Sequence, residues 1–317
     1  MDPGIFFASS RVLIVAGKGG VGKTAAAATI AVTAARAGKS VLLVEVSGRS
    51  AAGALLGADS QGYEETDVVD DADRPTNIRC RSLTPDQALV EWLSEHGFKR
   101  IAKRMARSGI LEVVATATPG IKDLLVLGKI RQLESDRVAD LIVVDAPAAG
   151  HALGFLRSPA GVRDTARAGT IHRQAEETLA LLSDPARCRV MLVSIPEETP
   201  VNELIETSFA VEDEVGISLG PIIVNGLIPP IRGLDADKIK RSRGLDISDN
   251  ELNDMRTAAR FRLERTSLQQ RQLARLSEKL PLPQIHLPQL FVPHLGPPEI
   301  EKLADAMALG ISELPSS

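Results

Sequence analysis

The segment Gly17-Lys18-Gly19-Gly20-Val21-Gly22-Lys23-Thr24 has the spacing GxxxxGK[ST]. It sits between an apolar run, Arg11–Ala16, and an alanine-rich helical stretch that opens at Ala25. Glycines let the loop turn its N–H groups inward onto phosphate oxygens, and the helix start adds partial positive charge from Ala25 onward. Lys23 then reaches the β- and γ-phosphates. The Thr24 hydroxyl is a direct Mg²⁺ ligand, because Mg²⁺ takes oxygen donors and shares them with the phosphates. Gly17 to Ala25 therefore predicts binding of Mg-ATP. Lys18 is a second lysine that this motif does not require. It either reaches the phosphates of a facing subunit, as an arginine finger does, or is solvent-exposed. Asp145 closes the run Leu141-Ile142-Val143-Val144-Asp145, where a strand-end carboxylate holds a water of the Mg²⁺ shell. The following Ala146-Pro147-Ala148-Ala149-Gly150-His151 can reposition its backbone according to whether a γ-phosphate is present. Gly150 and His151 are its switch candidates, with a structural histidine the alternative at His151.

These residues need strands that end at one edge of a sheet and helices that begin there. Apolar runs of strand length alternate with longer helical patterns, which predicts an α/β, doubly wound, mostly parallel sheet with crossover helices. The strands are read at Arg11–Ala16, Ser40–Val46, Ile78–Leu83, Asp140–Asp145, Arg189–Ile195, Leu219–Asn225 and Gln284–Leu287. Residues 141–144 show no in-out alternation, as expected of a central strand covered on both faces. About fifty residues from Pro85 to Arg137 carry helical pattern without a strand, which predicts a helical insertion. A second helical segment spans about 228–280. Its stretch Asp249–Leu280 offers Leu263, Leu268, Leu273, Leu276 and Leu280 as a packing face. No linker divides the chain, so residues 1–317 read as one P-loop domain. The acidic stretch Glu64–Asp73 reads as a solvated loop.

The loop with Lys18 as signature lysine resembles the SIMIBI class of P-loop ATPases, and more closely the ArsA-type anion-pump and tail-anchored-protein-targeting ATPases. The matching pieces are Asp145 with Gly150-His151, Pro119-Gly120, Pro196-Glu197, Val224-Asn225 and Leu287-Pro288. The resemblance implies an adenine-reading role for Asn225 and a nucleotide-side loop at Pro288. It also implies dimers that sandwich two ATP molecules and couple hydrolysis to a protein cargo or membrane component. Members of that family carry a water-positioning aspartate where Ser47 stands here. Loss of a general base typically costs about 10²–10⁴ in rate, roughly 3–5 kcal/mol. Glu45, two residues earlier on the same strand face, is an acid that partly compensates. The segment Val44-Glu45-Val46-Ser47-Gly48-Arg49 resembles the divergent member of paired actinobacterial ArsA-like ATPases. Homodimer and heterodimer with a paralogue both stay open, as does a hydrolysis-deficient regulatory subunit.

Composition narrows the rest. With 44% hydrophobic residues, 25% charged and a net charge of -4, the chain can bury a large core and gives no electrostatic reason to bind nucleic acid. A ParA/MinD-like positioning role would need a DNA-binding surface or a terminal membrane helix, and the Glu299–Leu309 tail carries acids. Cys80 and Cys188 form no CxxC pair, so neither zinc nor an arsenite site is expected. No run approaches the ~20 apolar residues of a membrane span. A cytoplasmic protein is expected, with a peripheral membrane association left open. Lys99, Arg100, Lys103, Arg104 and Arg107 line one side of a helix, as a solvated face or as a patch for an acidic partner.

Overall fold

Runs of Val, Ile and Leu without alternation must be covered on both sides, and the fold does this. The computed structural model describes residues 1–46, 51–58, 62–69, 75–95, 97, 100, 120–147, 149–240 and 247–315. Its strands are β1 (Val12–Gly17), β2 (Val41–Glu45), β3 (Thr66–Val69), β4 (Pro75–Ser82), β5 (Leu141–Asp145), β6 (Cys188–Ser194), β7 (Ile222–Leu227) and β8 (Gln284–Pro288). They form one sheet in the order β3-β4-β2-β5-β1-β6-β7-β8. Every pairing is parallel except β3 with β4.

The expected strands are present with small changes at their ends. The sixth of them, read at Leu219–Asn225, starts at Ile222 and continues to Leu227 as β7, while Leu219 makes only an isolated bridge to Val190. The expectation of a solvated loop over Glu64–Asp73 fails at Thr66–Val69, which pairs antiparallel with β4, and residues 70–73 lie outside the described residues. Only Val68 of that edge strand is buried. Asp67 and Val69 are exposed and Thr66 is half-buried, so acidic composition concealed a one-sided strand.

One face of the sheet is covered by α2 (Lys23–Arg36), α3 (Ala51–Leu55) and α10 (Pro297–Ser312), with the short α1 (Pro3–Phe6) beside them. The other is covered by α4 (Pro85–Glu95), α5 (Ile121–Ser135), α6 (Ala149–Thr165), α7 (Thr170–Leu182) and α8 (Glu198–Phe209). Along β1 the side chains alternate between these two layers, Val12 and Ile14 into one and Leu13 and Val15 into the other. The alanine-rich sequence of α2 has a packing cause. Residues Ala25–Ala34 are all buried, because the helix is held between the sheet and α10, and small side chains let it approach both. Its two buried threonines return their hydroxyls to the helix, Thr29 to the Ala25 carbonyl and Thr33 to the Thr29 carbonyl, each at 2.7 Å.

Among the described residues of the expected helical segment 228–280, α-helix is confined to α9 (Asp249–Lys279), and residues 228–240 are loop and turn with a short 3₁₀ stretch, Ala236–Lys238. A capping box starts α9: Ser248 Oγ accepts from the Glu251 N–H while Glu251 accepts from the Ser248 N–H. Its second half is anchored through buried Thr266, Gln269, Gln272 and Leu276, with Gln269 Oε1 accepting from the Ile228 N–H at 3.1 Å. Its first half, apart from Ala259, has no fully buried residue. Within 85–137, α4 and α5 are helical. Pro119 and most of the basic stripe (Lys99, Lys103, Arg104, Arg107) lie outside the described residues.

At the amino-terminal edge of the strands, Glu134 of α5 is 3% exposed. Its carboxylate accepts from Arg187 Nη2 at 2.5 Å and faces Arg11 Nη1 at 3.5 Å. Its main-chain carbonyl takes a bond from Arg11 Nη2 at 2.7 Å. This knot ties a helix to the entrances of β1 and β6, at the end of the sheet away from the phosphate loop.

Candidate functional site

The carboxyl ends of β1, β2 and β5 lie side by side, and the residues singled out in the sequence converge there. The loop after β1 enters α2 through Gly22, whose φ of 88° lies in the left-handed region. A Cβ at that position would stand 2.3 Å from Asn225 Nδ2, so Gly22 serves both the turn and a close approach. Asn225, at the end of β7, donates from Nδ2 to the Val21 carbonyl at 2.9 Å. It thus pins the loop as well as standing at the place where the resemblance puts adenine recognition. Pro288, at the end of β8, is in register with Leu227 on the same edge. Val21 and Ala25 are buried beneath the loop.

Thr24 Oγ1 donates to Asp145 Oδ2 at 2.7 Å. The second oxygen, Oδ1, is buried with no hydrogen-bond partner. Strand register sets Asp145 beside Val15 on one side and Glu45 on the other. Burial pushes the Asp145 carboxyl up to about 6; the Thr24 bond opposes the shift, Glu45 adds to it, and Lys23 opposes it again. Lys23 folds its ammonium over the loop to the Lys18 carbonyl at 3.1 Å. Burial lowers its pKa, with the Asp145 charge acting the other way. A buried anion short of a donor, a hydroxyl already turned toward it and a partly desolvated lysine form a donor set that suits a hydrated Mg²⁺ with phosphates.

Glu45 is fully buried and accepts the Ala52 N–H at 2.9 Å, at the start of α3. It therefore fastens the segment beyond residues 47–50 to β2. Ser47 lies outside the described residues. Lys18 forms an ion pair with Glu203 of α8, both side chains being more than a third exposed. Pairs of that exposure contribute about 0–1 kcal/mol, so an anionic ligand can displace it. Gly150 and His151 lie in the first turn of α6, exposed to solvent. His151 is close enough to Asp123 of α5 for its charge to pull that carboxyl down, against the upward push of burial. Cys80 and Cys188 are buried free thiols pushed up to about 12 by burial, which leaves them unreactive.

Sequence reasoning missed two contacts: the Lys18–Glu203 pair and the tie from Asn225 to the loop. They join positions 185 and 204 residues apart, and no local pattern announces them.

Asp145→Asn gives a prediction that separates fold from ligand. Below about pH 4 the carboxyl is protonated in both states; between about 4 and 6 the unfolded chain releases its proton while the native one holds it. This group's contribution to stability therefore falls as pH rises through that window, and above it the native carboxylate costs up to about 3 kcal/mol. The nucleotide-free Asp145→Asn protein should be more stable at pH 7.5 by about 1–3 kcal/mol and should lose that part of the pH slope, as read from denaturant midpoints. An unchanged slope would contradict the burial argument.

A phosphate-type loop between β1 and α2, in a parallel sheet with an acid closing the neighbouring strand, defines a P-loop nucleoside triphosphatase fold. Comparison with known proteins narrows the class. The profile of the anion-transporting ATPase family, ArsA, matches residues 10–177, more than half of the chain, and the chain belongs to that family. It is similar to the ATPase BagA of Mycobacterium tuberculosis, 36% identical over 228 residues, covering 69% of this chain and 66% of that protein. A putative arsenical pump-driving ATPase of Halobacterium salinarum is 26% identical over 246 residues, covering 72% of this chain and 37% of that protein. The ATPase GET3 of Pyricularia oryzae is 30% identical over 156 residues, covering 48% and 44%. The chain thus spans just under two thirds of the mycobacterial relative and less of the others. Among the described residues no helix is long and apolar enough to cross a membrane.

Proposed function

We propose that this protein binds Mg-ATP at the Gly17–Ala25 loop and works as a dimer, coupling binding and hydrolysis to a protein or membrane-component partner in the cytoplasm. The observation that carries the reading is the buried, unpartnered Oδ1 of Asp145 beside the Thr24 hydroxyl and Lys23. In this reading Thr24 ligates the metal directly and Asp145 through a water. The metal, when bound, offsets phosphate charge and the unmet hydrogen-bonding capacity of Asp145. The loop amides and Lys23 orient the β- and γ-phosphates. Glu45 fastens the start of α3 to β2 through the Ala52 N–H, and Asn225 and Pro288 border the base. Gly150 and His151 carry the nucleotide state toward α5 and α6.

A second reading is a regulatory subunit that hydrolyses little and needs an ArsA-like paralogue. One feature favours it: Ser47 is a poor base. Steady-state ATP hydrolysis distinguishes the two. The purified chain should turn over weakly alone, gain about 10-fold or more on Ser47→Asp, and rise on mixing with the paralogue. Lys18→Ala should leave nucleotide affinity nearly intact while cutting the stimulated rate about 10²-fold or more. Rapid turnover by the isolated chain, indifferent to Ser47→Asp, would overturn the reading of a degenerate site.

A further inference from the structure

A ligand gripped by its phosphates over the Gly17–Thr24 loop has two directions in which to extend along the carboxyl edge of the sheet. Toward β5 and β2 that edge closes in the carboxylates Asp145 and Glu45, the side that the metal and γ-phosphate take in the Mg-ATP reading. The rest of the ligand then runs the other way, past β6 to β7 and β8. β7 abuts the loop through Asn225, which a Cβ at Gly22 would strike. β8 is three strand spacings from β1, about 14 Å, so what stands beyond its end meets the far end of a nucleotide.

What stands there is an aromatic ring in water. Phe291, in the loop that follows Pro288, is 70% exposed and forgoes the burial that a phenylalanine of the core gains. Its loop is fastened all the same. The Gln289 N–H donates to the Leu227 carbonyl at 2.8 Å, and Gln289 Nε2 donates to the Leu290 carbonyl at 3.0 Å. Gln289 Oε1 lies 3.1 Å from where a Cβ of Gly226 would be, so the loop rests on the residue next to Asn225. The Phe291 Cα is at most about 7 Å from that of Gln289. Arg262 of α9 braces the ring: its guanidinium carbon is 5.6 Å from the ring centroid, and its Nη2 donates to the Pro229 carbonyl at 2.8 Å. A ring braced by a fixed cation and otherwise open is suited to a second flat π-system, and every nucleobase has such a face.

We propose that Phe291 is the platform on which the base of the bound nucleotide stacks. This rests on the reading of the Gly17–Ala25 loop as a Mg-ATP site, and adds to it a base contact made by an open ring rather than by a hydrogen-bonding edge. The contact is selective for ligands that carry a base and indifferent to the phosphates alone.

The experiment compares Mg-ATP with Mg-tripolyphosphate, which has the phosphates and no base, by calorimetry on the full chain. Phe291→Ala should weaken Mg-ATP about 10-fold and leave Mg-tripolyphosphate unchanged, while Phe291→Trp should keep the parent's Mg-ATP affinity or improve it. The ring is exposed, so neither change disturbs the core. Trp92 is the chain's only tryptophan, so Trp92→Phe combined with Phe291→Trp leaves a single indole at the platform. Mg-ATP should quench its emission saturably, and Mg-tripolyphosphate should not. A parent chain that binds neither ligand would overturn the Mg-ATP reading and this inference together. If the parent binds Mg-ATP, the platform alone is overturned by Phe291→Ala binding it as tightly, by an equal loss of both ligands, or by an indole that does not respond.

Discussion

Lys23→Ala should abolish Mg-ATP uptake measurable by calorimetry and lower turnover at least about 10³-fold, because it removes the one loop cation aimed over the cradle. The same substitution should leave the fold intact. Burial already disfavours the Lys23 ammonium in the nucleotide-free protein, so its removal should leave the thermal midpoint unchanged or raised. A protein that unfolds earlier and still binds nucleotide would contradict both halves of this argument.

Glu134→Ala should produce the opposite result, a large loss of stability with little change in nucleotide affinity. The carboxylate is 3% exposed and satisfies Arg187 while facing Arg11. Removing one member of a buried ion cluster costs about 3–5 kcal/mol. The two arginines are about one-third exposed and can partly rehydrate, which places the loss near 3 kcal/mol. For a chain of this size that lowers Tm by roughly 6–10 °C. Urea midpoints with an unchanged m-value would check it, and calorimetry at low temperature should find Mg-ATP bound as in the parent. A shift below about 1 kcal/mol would mean that the knot is ornamental.

The two variants mark opposite ends of the sheet, and the sequence disclosed those ends unequally. The phosphate loop was legible because its residues are contiguous and their spacing follows from how backbone amides surround a phosphate. The central strands were legible because burial on both faces leaves unbroken apolar runs, as in Leu141–Val144. The edge strand β3 was not, since only Val68 is buried in an acid-rich stretch. Glu134 also escaped notice: within Gln132-Leu133-Glu134-Ser135 it resembles any solvated helical acid. Only the chain's return at Arg187 reveals that it is buried. Asn225 could be placed by resemblance, whereas its grip on Val21 is a tertiary contact.

The helix α9 holds 31 residues, which makes it about 46 Å long, yet its buried anchors begin only at Thr266 beyond the isolated Ala259. From Gln269, which grips the chain just after β7, back to Asp249 the arm measures roughly 30 Å. A tilt of about 10° at that fulcrum would sweep the far tip, and the 229–239 segment bonded to it through Arg256 and Arg262, through up to roughly 5 Å.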